Sequence, residues 1–183
     1  MSNKVEYPDF NEWVWRGFTK ATVRDIDEFV KMNYERGRDF HVGSDSQVHG
    51  NKTTFVTALI AHNKNYGGEV IIHKTNIPNY SSKEDLRLRQ RLLMEAMMTI
   101  ETAWHLDQVL PKDANIRIHV DVNNAVQFKS GQYKEELVGM IMGQGYISYR
   151  EIEDAGEEQK DYPRVVLWKP DSWAAMKVAD KKT

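Results

Sequence analysis

The chain has 183 residues, 40% of them hydrophobic and 28% charged, with a net charge of -2; these values suit one globular domain and show no broad basic excess for gripping phosphates. It has no cysteine, which excludes disulfide scaffolds, thiolate zinc sites and cysteine nucleophiles, so any metal must be held by oxygen or imidazole. No stretch approaches the ~18 consecutive apolar residues of a membrane span, and the opening MSNKVEYPDFNEW has no apolar leader, so a cytoplasmic protein without membrane contact is expected.

After an aromatic stretch at 10–18, Thr22 is placed to cap a helix running to about residue 36, with Ile26, Phe29, Val30 and Met32 on its apolar side. Residues 1–38 thus read as an N-terminal extension with one helix packed on a core domain of residues 39–183. A short strand at 40–43 ends in Ser44-Asp45-Ser46, Gly50-Asn51 turns the chain into a β-rich run at 53–62, and Tyr66-Gly67-Gly68 leads to a third strand at 69–74. Such short connections imply an antiparallel meander.

Ser81 or Ser82 can cap the clearest helix, at 84–108, whose apolar residues Leu88, Leu92, Leu93, Ala96, Met97, Ile100 and Trp104 recur at helical spacing. A fourth strand follows at 116–122, then a helix at 132–142 closed by Gly143-Gln144-Gly145. Residues 146–152 and 164–168 are strand-like and flank an acidic surface loop carrying Glu153, Asp154, Glu157, Glu158 and Asp161. Asp171 or Ser172 caps a short terminal helix. The order is βββ-α-β-α-β-α, without repeats or low-complexity segments.

Four carboxylates stand on successive elements: Asp45 at the end of the first strand, Glu95 on the long helix, Asp121 near the end of the fourth strand and Asp180 on the last helix. Carboxylates are the hard oxygen ligands that Mg²⁺ or Mn²⁺ requires, and they serve only if they converge in space. GSDSQ, LLMEAMMTIETA, IHVDVNN and KPDSWAAMKVADK, in that order, resemble ribonuclease H-like nucleases, in particular the YkuK-type family of predicted ribonuclease H-related nucleases. The resemblance covers roughly residues 39–182. It implies an α/β fold with a mixed five-stranded sheet, three antiparallel strands followed by parallel ones, flanked by helices. It further implies that Asp45, Glu95, Asp121 and Asp180 bind two Mg²⁺ or Mn²⁺ ions for phosphodiester hydrolysis of a nucleic-acid substrate.

Each residue also has a plainer reading. An aspartate in Ser-Asp-Ser at a strand end is commonly a turn residue bonding its own backbone. Amphipathicity does not choose between Glu95 and Glu101, which border the apolar stripe on opposite sides. Asp180 stands near a helix end that frays. Strand alternation places His119 and Asp121 on one face, so His119 can support the ligands or join them, although a lone histidine is more often satisfied in the core or at the surface, and the same caution covers His41 and His49. Lys83, Arg87, Arg91 and Glu95 form one i,i+4 ridge, a basic stripe for phosphate or simply surface ion pairs. A sugar-kinase-like activity is disfavoured because Ser46-Gln47-Val48, not a glycine-rich loop, follows Asp45. The main rival is a non-catalytic nucleic-acid- or protein-binding module on the same fold, for which the exposed-looking Trp13 and Trp15 would offer contact area, although core packing is the commoner use of tryptophan.

Overall fold

The run TTFVTALIA at 53–61 is β-branched and apolar with no glycine or proline, and in the computed structural model every one of its residues is buried. A strand covered on both faces reads as a continuous apolar run instead of an alternating one. The structure describes residues 7–19, 22–65, 67–79, 84–122, 133–169, 171, 172, 178 and 181. In chain order its elements are β1 (Trp15–Gly17), β2 (Val23–Arg24), α1 (Ile26–Glu35), β3 (Asp39–His49), β4 (Lys52–Asn63), β5 (Gly67–Pro78), α2 (Glu84–Val109), β6 (Ile116–Val120), α3 (Lys134–Met142), β7 (Ile147–Ser148), α4 (Tyr149–Asp154) and β8 (Arg164–Trp168).

The described strands form one sheet in the order β2-β1-β5-β4-β3-β6-β8-β7. β3, β4 and β5 are the expected antiparallel meander, and β6 lies parallel to both β3 and β8. This is the mixed α/β arrangement of the ribonuclease H-like fold. Three strands go beyond the expected five: β7 at one edge, and β1 and β2, which extend the sheet past β5. Cross-strand partners share a face, so Phe40, Val42 and Ser44 lie with Ile116 and Ile118, while His41 and Gly43 lie with Arg117 and His119. The first face carries the main core with Phe29, Leu106, Leu137 and Ile141 from α1, α2 and α3. On the second face Tyr149 and Ile152 of α4 pack on Val165 and Leu167, and Val178 packs on Val56 and Ala58. No described helix is long and apolar enough to cross a membrane.

Several local expectations are corrected. Trp13 and Trp15 are not exposed but 8% and 2% accessible, because β1 pairs with β5 and Trp13 stacks on His73 at 4.4 Å between ring centroids. The cap of α1 is Asp25, whose side chain accepts from the Glu28 N–H at 2.8 Å, and the residues before it form β2. On α2 the apolar stripe is rotated: Trp104 and Met97 are 59% and 39% exposed, whereas Glu95, Thr99 and Thr102 are buried. The two threonines bond back to the Glu95 and Met98 carbonyls at 2.8 and 3.0 Å, so polar side chains occupy a buried helix face without stranded hydroxyls.

Residues 146–152 are not a single strand either. Ser148 ends β7 and caps α4 by accepting from the Arg150 N–H at 3.2 Å. The acidic stretch is therefore half helix, with Ile152 buried and the carboxylates of Glu151, Glu153 and Asp154 outward. Of the proposed terminal helix only Val178 is described as helical.

Candidate active site

Asp45 is a mid-strand residue rather than a turn residue. β3 stays paired with β4 from Asp39 to His49, with Asp45 opposite Val56. Its carboxylate accepts from the Ser46 N–H at 2.8 Å, a local bond made within an extended strand. Ser44 and Ser46, one residue to either side, point to the opposite face, toward α2. There the Ser44 hydroxyl lies 2.8 Å from that of Thr57 and 3.0 Å from that of Thr99.

Ser46 joins β3 to the helix carboxylate. Its hydroxyl donates to Glu95 Oε1 at 2.5 Å and accepts from Arg91 Nε at 3.0 Å. Glu95 is 6% exposed, and its pKa is pushed up to about 8, first by burial and further by the charges of Asp45 and Asp121. The Ser46 bond and the Arg91 guanidinium oppose the rise without cancelling it. With a pKa of about 8, Glu95 keeps its proton at neutral pH in the metal-free protein, Arg91 notwithstanding. Glu101, the other border residue of the stripe, is half-buried elsewhere and acts on Tyr7.

Asp121 stands one residue past β6 and lines the same small cavity as Ser44, Glu95, Thr99 and His119. Its Oδ1 is ion-paired with Lys169 Nζ, from the residue just past β8. Parallel β6 and β8 bring these two ends together. Thus the charges of Asp45 on β3 and of Asp121 just past β6 both act on Glu95 of α2. Asp180 and Lys83 lie outside the described residues.

His119 meets a different partner. Its Nε2 is 2.9 Å from His41 Nδ1. Burial holds these rings at pKa values of about 3 and about 4, so the pair is neutral near pH 7. His119 Nδ1 has no hydrogen-bond partner among the described residues. His49 is exposed at the end of β3. Arg87 and Arg91 are half-buried on the first half of α2, and only Arg91 reaches the carboxylate neighbourhood.

The donor set suits a hard divalent cation in kind, because a buried carboxylate destabilised by two neighbouring carboxylates is relieved by positive charge. In the geometry described, Lys169 neutralises Asp121. Among the described residues no group of three or more histidine, aspartate or glutamate side chains is arranged to hold a metal ion. Two contributors escaped sequence reasoning. Ser46 was legible in principle, since period-two alternation puts it on the helix-facing side. Lys169 carried no local signal, since its partner is 48 positions away in the chain (169 - 121).

Residues 21–150 match a protein-family model described as Ribonuclease H-like. The match takes in α1, which the sequence motifs left out, and contains Asp45, Glu95 and Asp121; it ends before β8 and does not reach Asp180. No curated protein and no solved structure matches the chain.

Proposed function

The chain belongs to the ribonuclease H-like family, and on that premise we propose that it is a divalent-metal-dependent nuclease hydrolysing phosphodiester bonds in nucleic acid. One observation carries the reading: Glu95 is buried, which raises its pKa, and the charges of Asp45 and Asp121 raise it further. A fold that needed these positions only for stability would gain by replacing them with apolar or amide side chains. In this reading Asp45, Glu95 and Asp121 hold the metal, with Asp180 as the fourth ligand. Two Mg²⁺ or Mn²⁺ ions, when bound, supply an activated water and charge neutralisation at the scissile phosphate.

The chain's own residues prepare the site. Ser46 fixes the Glu95 carboxyl, and Arg91 fixes Ser46. Arg91 and Arg87 form a cationic approach for the phosphate backbone, to which Lys83, four residues earlier in the sequence, would add its charge. Lys169 pairs with Asp121 and holds its carboxylate in place until another cation takes that role. The Lys169–Asp121 pair also favours a second reading, a binding module in which the ammonium permanently replaces a metal.

Hydrolysis assays on RNA–DNA hybrid, duplex RNA and branched DNA separate the two. The proposed enzyme cleaves at least one of them with Mg²⁺ or Mn²⁺ and loses all activity in EDTA. Cleavage surviving thorough chelation overturns metal dependence, and binding without cleavage of any nucleic acid under either metal supports the module.

A further inference from the structure

Beside the carboxylates, on the α2 side of the sheet, lies a cavity of about 140 Å³ between the Gly50-Asn51 end of the meander and the first half of α2. Its walls are mainly apolar, including Phe55, Ile77, Met94 and Met97, and Arg87 and Arg91 also line it. Arg91 reaches the Glu95 neighbourhood through Ser46, so cavity and carboxylates are joined by one side chain. Among the described residues Arg87 has no ion-pair partner.

Size limits the occupant. An apolar cavity of about 150 Å³ takes one benzene ring, and whole-ligand pockets start at roughly 300 Å³. One flat ring thus fits here, and the group attached to it must remain outside. Two arginines, Arg87 and Arg91, stand in the lining, and guanidinium groups fit phosphate oxygens. Methionine thioethers adapt to aromatic faces. Two of the polar lining residues are already engaged, since the Thr53 hydroxyl donates to Asn79 Oδ1 at 2.6 Å and Asn79 Nδ2 donates to the Gly50 carbonyl at 2.9 Å, which among the described residues leaves Gln90 as the uncharged polar side chain open to a ligand. The cavity therefore selects ring size more than hydrogen-bonding pattern.

We propose that this cavity receives one unpaired pyrimidine base of a single-stranded or frayed nucleic acid, with its phosphates on Arg87 and Arg91, and so feeds the adjacent strand toward the carboxylates. The inference rests on the nuclease reading and names its substrate class. A base inside a duplex is unavailable without being flipped out, so the site prefers unpaired ends and gaps.

The test is fluorescence anisotropy in EDTA with a labelled oligothymidylate, an oligoadenylate, and an abasic sugar–phosphate chain of the same length and charge. Oligothymidylate is expected to bind about tenfold more tightly than the abasic chain, the scale of one stacked base, and more tightly than oligoadenylate. Met94→Trp, which fills the cavity, brings the thymidylate-to-abasic ratio close to one and leaves the salt dependence intact because both arginines remain. Met97→Ala, at an exposed position, lowers the same ratio without risk to the core. Equal binding of oligothymidylate and the abasic chain by the parent protein overturns the base site and leaves the cavity to another ring, such as an aromatic side chain of a partner protein. Equal binding of oligothymidylate and oligoadenylate overturns the pyrimidine assignment. If the base site fails while metal-dependent cleavage persists, the nuclease reading stands alone; base-dependent binding without hydrolysis of any nucleic acid removes the reaction and keeps the site.

Discussion

Replacing Glu95 by glutamine keeps the side chain's shape and the oxygen that accepts from Ser46 but removes its ability to ionise. In the metal-free protein the folded-state pKa is about 8 against an ordinary value of 4.5. Between those two pH values the unfolded chain has released this proton and the folded chain still holds it. Stability contributed by the group is therefore complete below about pH 4.5 and declines as pH rises toward 8. At about 1.36 kcal/mol per pKa unit the full span corresponds to a ceiling of about 5 kcal/mol. Glu95→Gln should match the parent near pH 5 and exceed it by a few kcal/mol near pH 9. The assay is urea unfolding across that range in EDTA, comparing midpoints at constant slope. Saturating Mg²⁺ or Mn²⁺ should flatten the parent's pH dependence by favouring the ionised carboxylate. A difference between variant and parent that stays constant from pH 5 to 9, or a variant less stable at pH 9, would refute the buried, charge-crowded placement of Glu95.

Asp45→Asn and Asp121→Asn are each expected to abolish metal-dependent cleavage, a loss of at least about a thousandfold, while thermal melting without metal changes by no more than about 1 kcal/mol, the scale of a partly exposed ion pair; full activity on a substrate the parent cleaves would reject the site. Glu101→Gln should leave cleavage unchanged. Lys169→Met removes the ammonium competing for Asp121 and should tighten Mn²⁺ binding, measured by titration calorimetry, by about fivefold, the equivalent of about 1 kcal/mol; unchanged or weaker binding would remove Lys169 as a competitor. Joint replacement of Lys83 and Arg87 by alanine, which leaves the Arg91–Ser46–Glu95 contacts intact, should weaken nucleic-acid binding and reduce its salt slope while sparing Mn²⁺ affinity. An unchanged slope would return these residues to solubility.

Local chemistry was enough to read the meander, the long helix and the succession of β6 and α3 after it, because hydrophobic period, Gly50 and Gly67 at positive φ and β-branched runs act over a few residues. The family resemblance carried by four short motifs, not local chemistry, brought Asp45, Glu95, Asp121 and Asp180 forward as a set. Local chemistry could not choose Glu95 over Glu101, because the buried face of α2 carries Thr99 and Thr102, whose hydroxyls are satisfied only by the folded helix. Nor could it bury Trp13 and Trp15, whose cover depends on β1 reaching β5 some 56 residues later. The Asp121–Lys169 pair, the Arg91–Ser46–Glu95 relay and the raised pKa of Glu95 belong to tertiary structure alone. Each is a sum of short-range terms between residues distant in sequence, and electrostatics and desolvation act on separation in space, which only the assembled sheet and its covering helices decide.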